Sequence, residues 1–152
     1  MKIIIATDGS PYSAAMIKEF ANRPLTPNTK VKIISVYKGA SLMNTAPMGV
    51  LTEYFIAADK NSLNFAKKAI ETAEMIIRNE NPLLTIFTAA IEGAPKNVIL
   101  EEAEAFDADL IVLGSHGYGA VDRFLLGSVS QSVALHAKCS VEIVREKSKS
   151  GK

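Results

Sequence analysis

Residues 110–130 read LIVLGSHGYGAVDRFLLGSVS. Leu110 to Leu113 is a short, uninterrupted apolar run, which suits a strand covered by helices on both faces. A glycine-rich loop follows it, and from about Ser128 the apolar positions Val129, Val133 and Ala137 recur at helical spacing. The stretch therefore reads as strand, loop, helix. The start of the chain repeats the scheme. Lys2 to Thr7 encloses a second continuous apolar run, Ser10 stands where an N-cap belongs, and Pro11 follows at the position where its missing N–H costs nothing. Ala14, Ile17, Phe20 and Ala21 then share one helical face before Pro24 ends the pattern.

Val31 to Tyr37, Leu83 to Ile91 and Val141 to Arg145 are rich enough in β-branched and aromatic residues for three more strands. A long helical pattern from about Thr52 to Asn79 carries the stripe Phe55, Ala58, Leu63, Ala66, Ile70, Ala73 and Ile77, and Pro82 closes it. Another helix begins at Pro95 and turns Ile99, Ala103 and Phe106 inward. Strands alternating with helices imply an α/β fold: a single domain of three αβα layers around a five-stranded parallel sheet with right-handed crossovers. The runs at Lys2 to Thr7 and Leu110 to Leu113 are the expected central strands. Ligands of such sheets sit beyond the carboxyl ends of the strands, where the strand order reverses. The loops after these two strands, Thr7-Asp8-Gly9-Ser10 and the one opened by Gly114, mark the expected site.

Composition narrows the function. With 17 basic and 16 acidic side chains in 152 residues, the charge is near balance, which removes the main electrostatic argument for nucleic acid or an anionic membrane surface as partner. No stretch approaches the roughly 20 apolar residues of a membrane helix, and the apolar run near the start is too short for a signal peptide. The single Cys139 can form no intramolecular disulfide, so a reducing cytoplasm is the expected setting and core filling its expected role. One domain is expected over residues 1–146, with 147–152 as a disordered tail. The segment Gly39 to Gly49, GASLMNTAPMG, reads as an irregular loop, either a lid or a loose connection.

Residues 114–128 hold four of the chain's nine glycines. Glycines let backbone approach a ligand closely so that successive N–H groups converge on an anion, and a helix N-terminus adds free N–H groups and a favourable dipole. Gly127-Ser128-Val129-Ser130 supplies both, with the hydroxyls of Ser128 and Ser130 placed either to cap the helix or to meet phosphate oxygens. The phosphate loop of common ATPases, G-x-x-x-x-G-K-[ST], does not occur. Gly117-Tyr118-Gly119 reaches Asp122 where a dinucleotide fingerprint needs a third glycine, and the nucleophile elbow G-x-S-x-G is missing too.

What the stretch does contain is Gly114-x-x-Gly117, nine residues, then Gly127-Ser128. With ATDGSPYSAA at 6–15, GAPKNVILEEA at 93–103 and DADLIVLGSHGYGAVDRFLLGSVSQSVALHAKCSVEIVR at 107–145, the chain resembles, over nearly its whole length, the universal stress protein family. Its ATP-binding members carry G-x2-G-x9-G-[ST] at this place. The resemblance implies the Rossmann-like, adenine nucleotide alpha hydrolase-like fold. It implies that Ala6, Thr7 and Asp8 contact adenine and ribose, that Val36 packs against adenine, that Gly114, Ser115, His116 and Gly117 line ribose and phosphates, and that Gly127, Ser128, Val129 and Ser130 cradle the phosphates. Asp8 either orients a ribose hydroxyl or helps hold the Mg²⁺ or Mn²⁺ that accompanies the nucleotide, the alternative being a cap on the Ser10 turn. His116 either bonds phosphate or points into solvent. Arg123 is read as a surface partner of Asp122, and Lys38 as solvated. The resemblance also implies a homodimer through the last strand, and Val141 to Val144 offers an apolar edge for it. Where the family has Cys-Pro ahead of that strand, this chain has Cys139-Ser140.

The expected function is an ATP-, ADP- or AMP-binding stress-response sensor or switch with little or slow hydrolysis and no catalytic residue named, because the sequence offers no poised general base, arginine finger or phosphate-loop lysine. A small adenylating enzyme is the competing reading, weakened because ATDGSPYSAA has only Gly9 where such an enzyme needs a glycine-rich loop. The third is a nucleotide-free protein-interaction module.

Overall fold

The computed structural model describes residues 1–39, 50–117 and 126–145. Residues 40–49 of the irregular loop, the Asp122–Arg123 pair and the tail beyond Arg145 lie outside them. Nine elements alternate in chain order: β1 (Lys2–Ala6), α1 (Pro11–Ala21), β2 (Lys30–Tyr37), α2 (Val50–Glu80), β3 (Thr85–Glu92), α3 (Pro95–Phe106), β4 (Leu110–Gly114), α4 (Ser128–His136) and β5 (Ser140–Val144). The strands form one parallel sheet in the order β3-β2-β1-β4-β5, so β1 and β4 are both interior and the order reverses between them.

β1 is apolar without interruption because both of its faces are covered. Ile3, Ile4 and Ile5 are all fully buried. Ile3 and Ile5 join a cluster with Met16 and Phe20 of α1 and Ile70, Ala73 and Ile77 of α2, whereas Ile4 joins Ile99 and Ala103 of α3 and Val133 of α4. Burial of each isoleucine contributes about 1.5–3 kcal/mol. Cys139 packs at the margin of the second cluster, where burial pushes its thiol pKa up and keeps it protonated.

The helix starts follow the sequence. Ser10 Oγ accepts the N–H of Ser13 at 3.2 Å and caps α1, with Pro11 in its first turn. The boundary of β3 differs from the expected Leu83 to Ile91. Leu84 N–H donates to Asn81 O, and Asn81 Nδ2 donates to Ala21 O at 2.6 Å, so this corner is a turn tied to α1; Leu83 projects from it, 77% exposed. β5 begins and ends one residue earlier than expected, at Ser140 and Val144. On α2, Ala66, Ile70, Ala73 and Ile77 of the expected stripe are buried, Ala58 and Leu63 are half-buried, and the Phe55 side chain lies outside the described set.

β5 is an edge strand, fastened to the α1 layer by a bidentate pair. Arg23 donates through both terminal nitrogens to the two oxygens of Glu142, one contact at 2.5 Å. Hydrogen bonding from Arg23 outweighs burial and holds the Glu142 carboxyl below its ordinary pKa, so the pair's stabilisation is complete above pH 4.5 and is lost as the pH falls through the lowered folded value. Glu142→Gln is expected to cost about 1 kcal/mol at neutral pH, the pair being one-third exposed. Urea unfolding of parent and variant as a function of pH should show the difference shrinking below pH 4.5.

Candidate functional site

The β1–α1 loop is built on short hydroxyl side chains. Thr7, Ser10 and Ser13 are all buried, Thr7 Oγ1 donates to Ser13 Oγ at 3.1 Å, and Ser13 Oγ donates to Ser10 O at 3.0 Å. Asp8 Oδ1 accepts the N–H of Ser10 at 3.0 Å, a turn-forming bond that orients the carboxylate. Gly9 adopts φ +74°, a left-handed conformation that glycine takes without strain.

The β4–α4 connection is held by backbone. Ser115 N–H donates to Val144 O, Gly127 N–H donates to Ser115 O, and Gln131 N–H donates to Gly127 O, each at 2.9 Å. Gly127 is the N-cap of α4 and has no side chain, so it supplies no cap bond to the first amides of the helix, those of Ser128, Val129 and Ser130. Ser130 Oγ donates to Gly114 O at 2.8 Å. Of the two readings of its hydroxyl, neither is the one found: it ties α4 to the end of β4.

Between these loops lies a cavity of about 720 Å³, within the range of small-molecule sites. Ala6, Thr7, Asp8, Val36, Gly114, His116, Gly117, Gly127, Ser128, Val129 and Ser130 all line it. Ser115 does not; it is buried behind the wall with its hydroxyl 2.9 Å from His116 Nδ1. His116 is itself buried against Tyr12, with ring centroids 5.4 Å apart, so it does not point into solvent. Lys38, expected to be solvated, is exposed but stands at the cavity rim. Sequence reasoning missed the contribution of α2, whose Asn61, Ser62, Phe65 and Ala66 close one side, and that of Pro95 and Ile99 from α3. Only the tertiary crossing of α2 over the strand ends brings those residues in. The pattern of the helix places Ala66 in its apolar stripe and Asn61, Ser62 and Phe65 outside it, and says nothing of a cavity.

The cavity is two-sided. Val36, Phe65, Ile99 and Leu113 give an apolar half suited to a planar ring, and the two loops give a half lined by backbone. Among the described lining residues Asp8 is the one carboxylate, and Lys38 is the one lysine or arginine. The described residues contain no group of three or more His, Cys, Asp or Glu able to hold a metal alone. A divalent cation would therefore need oxygens from the ligand, with Asp8 as the protein's contribution.

Close packing explains two of the motif glycines. A Cβ on Gly117 would stand 2.4 Å from Asp8 Oδ2, and one on Gly127 would stand 3.2 Å from Ser115 O. Gly117→Ala is thus expected to destabilise the protein by about 1–2 kcal/mol in the parent but by under about 0.5 kcal/mol in an Asp8→Ala background, where the obstructing carboxylate is gone. Thermal melting of the four proteins in that cycle checks it.

A family model described as the universal stress protein family matches residues 1–145. A universal stress protein of Methanocaldococcus jannaschii is 32% identical over 151 residues, covering 97% of this chain and 84% of that one. Among solved structures, the universal stress protein UspA from Lactobacillus plantarum superposes with a TM-score of 0.76 at 23% identity, over 95% of this chain and 97% of that one. A universal stress protein solved in complex with cAMP superposes with a TM-score of 0.61 at 25% identity, over 95% and 96% of the two chains. A match of one family model along residues 1–145, on the same βα order and sheet, leaves one conclusion: the chain belongs to the universal stress protein family.

Proposed function

We propose that this protein binds an adenine nucleotide, ATP or its AMP and ADP products, in the cavity between the β1–α1 and β4–α4 loops, and acts as a nucleotide-dependent stress-response sensor or switch in the cytoplasm. The observation that carries the reading is the uncapped N-terminus of α4, opening onto a cavity whose other half is apolar. Phosphates would meet the amides of Ser128, Val129 and Ser130, and the base would lie against Val36. Family members solved with cAMP, AMP and dAMP support the ligand class. Mg²⁺ or Mn²⁺ would travel with the phosphates and take Asp8 as its protein ligand. Little or slow hydrolysis is part of the proposal. The Asp8 carboxylate and the Ser130 hydroxyl both hold loop geometry, which supports binding over turnover.

Calorimetric titration of ATP with Mg²⁺ into the purified protein, after removal of any copurified nucleotide, is the test. Saturable binding is expected in the parent and its loss, by at least about tenfold, in a folded Gly127→Val, Ser128→Ala variant. A parent that binds nothing would overturn the reading and favour the interaction module.

The homodimer belongs to the same proposal. Ser140 N–H donates to Asp109 O and Val144 O accepts from Ser115 N–H, so the two-residue alternation of a strand turns the amides of Val141 and Ile143 to the free edge of β5. A proline there removes an outward donor and leaves the bonds to β4 intact. Sedimentation is expected to show a dimer for the parent and a folded monomer for Val141→Pro.

A further inference from the structure

Among the described residues of the β4–α4 connection, one buried side-chain nitrogen has no hydrogen-bond partner. His116 is only 9% exposed and lines the cavity, yet its Nε2 bonds to nothing. Its Nδ1 lies 2.9 Å from Ser115 Oγ, and the Tyr12 ring, inclined at 48°, packs against the imidazole and limits its rotation. Ser115 cannot drift from this position, because its N–H is bonded to Val144 O and its C=O to Gly127 N–H.

Two proton arrangements fit the Ser115–His116 contact. In one, the serine hydroxyl donates to Nδ1, and Nε2 carries the ring proton; a single buried donor is left over. In the other, Nδ1–H donates to Ser115 Oγ, which leaves both the serine proton and the Nε2 lone pair without partners. Each unpaired buried polar group costs free energy, so the first arrangement is favoured.

We propose that Ser115 is a positioning residue: its hydroxyl locks His116 as the Nε2–H tautomer and so reserves, on a side chain that lines the cavity, a buried hydrogen-bond donor for an anionic oxygen of the bound ligand. For the identity of that oxygen, a nucleotide phosphate, the inference rests on the nucleotide reading above. A donor left unpaired by the protein gains most from a charged acceptor, because such bonds are stronger than neutral ones. The chain carries its own contrast. His136 Nδ1 lies 2.8 Å from Ser132 O, and a carbonyl only accepts, so His136 holds the opposite tautomer.

Long-range proton–nitrogen NMR of the isotope-labelled full chain, at a pH where both rings are neutral, reads the two tautomers, with a His136→Gln variant to assign them. His116 is expected as Nε2–H and His136 as Nδ1–H. Ser115→Ala is expected to give His116 a mixture of tautomers and to weaken ATP binding about fivefold while leaving adenosine binding unchanged. In a His116→Gln background, whose side-chain amide donates unaided, Ser115→Ala should change ATP affinity by less than about twofold. An Nδ1–H tautomer at His116 in the parent would overturn the proposal, as would an unchanged tautomer in Ser115→Ala or an equal loss of ATP and adenosine affinity. Failure of the parent to bind any nucleotide overturns the nucleotide reading and the ligand half of this one. The tautomer is measured on the free protein and decides separately whether the serine controls the ring.

Discussion

The pairing of β1 with β4 sets everything that follows from it. Ile3 to Ala6 lie in register with Leu110 to Leu113, so the two strands end side by side. The chain leaves β1 toward one face of the sheet, into α1, and leaves β4 toward the other, into α4. Two loops that begin as neighbours are thereby drawn apart, and the crevice they leave is the cavity. Its floor is the sheet itself, which is rigid because its interior strands are packed from both sides. A site built on the ends of such strands inherits their precision without needing long side chains of its own.

The fold was legible because its strongest signals are continuous. Ile3-Ile4-Ile5 and Leu110 to Leu113 admit few structures other than buried parallel strands, and Ser10-Pro11 fixes a helix start by local chemistry alone. The boundary of β3 was not legible, since it depends on Asn81 reaching Ala21 O, sixty residues away in the chain. Edge strands also carry weaker patterns, because only part of their surface is buried.

The site divides in the same way. The loop residues were readable because glycine and serine spacing sets the course of the backbone that lines the cavity, and the resemblance to a family added Ala6 and Val36. What could not be read was which polar atoms the protein consumes internally. Ser130 spends its hydroxyl on Gly114 O, and Ser115 turns inward to His116, although both belong to the same strand–loop–helix stretch. Asn61, Ser62 and Phe65 were invisible for a different reason: a 31-residue helix presents many faces, and only its crossing angle decides which turn of it overhangs the strand ends.

If the site holds phosphate as proposed, a cradle made of main-chain amides has a particular vulnerability to mutation. Every residue carries the same N–H, so exchanging Ser128 or Val129 for another small residue leaves the donors in place, and a genetic screen for lost binding would pass over such changes. The damaging substitutions are those that add atoms where the backbone has none to spare, above all at Gly117 and Gly127, or a proline that deletes an amide. The mutational profile of this site should therefore resemble that of a packed core, governed by shape.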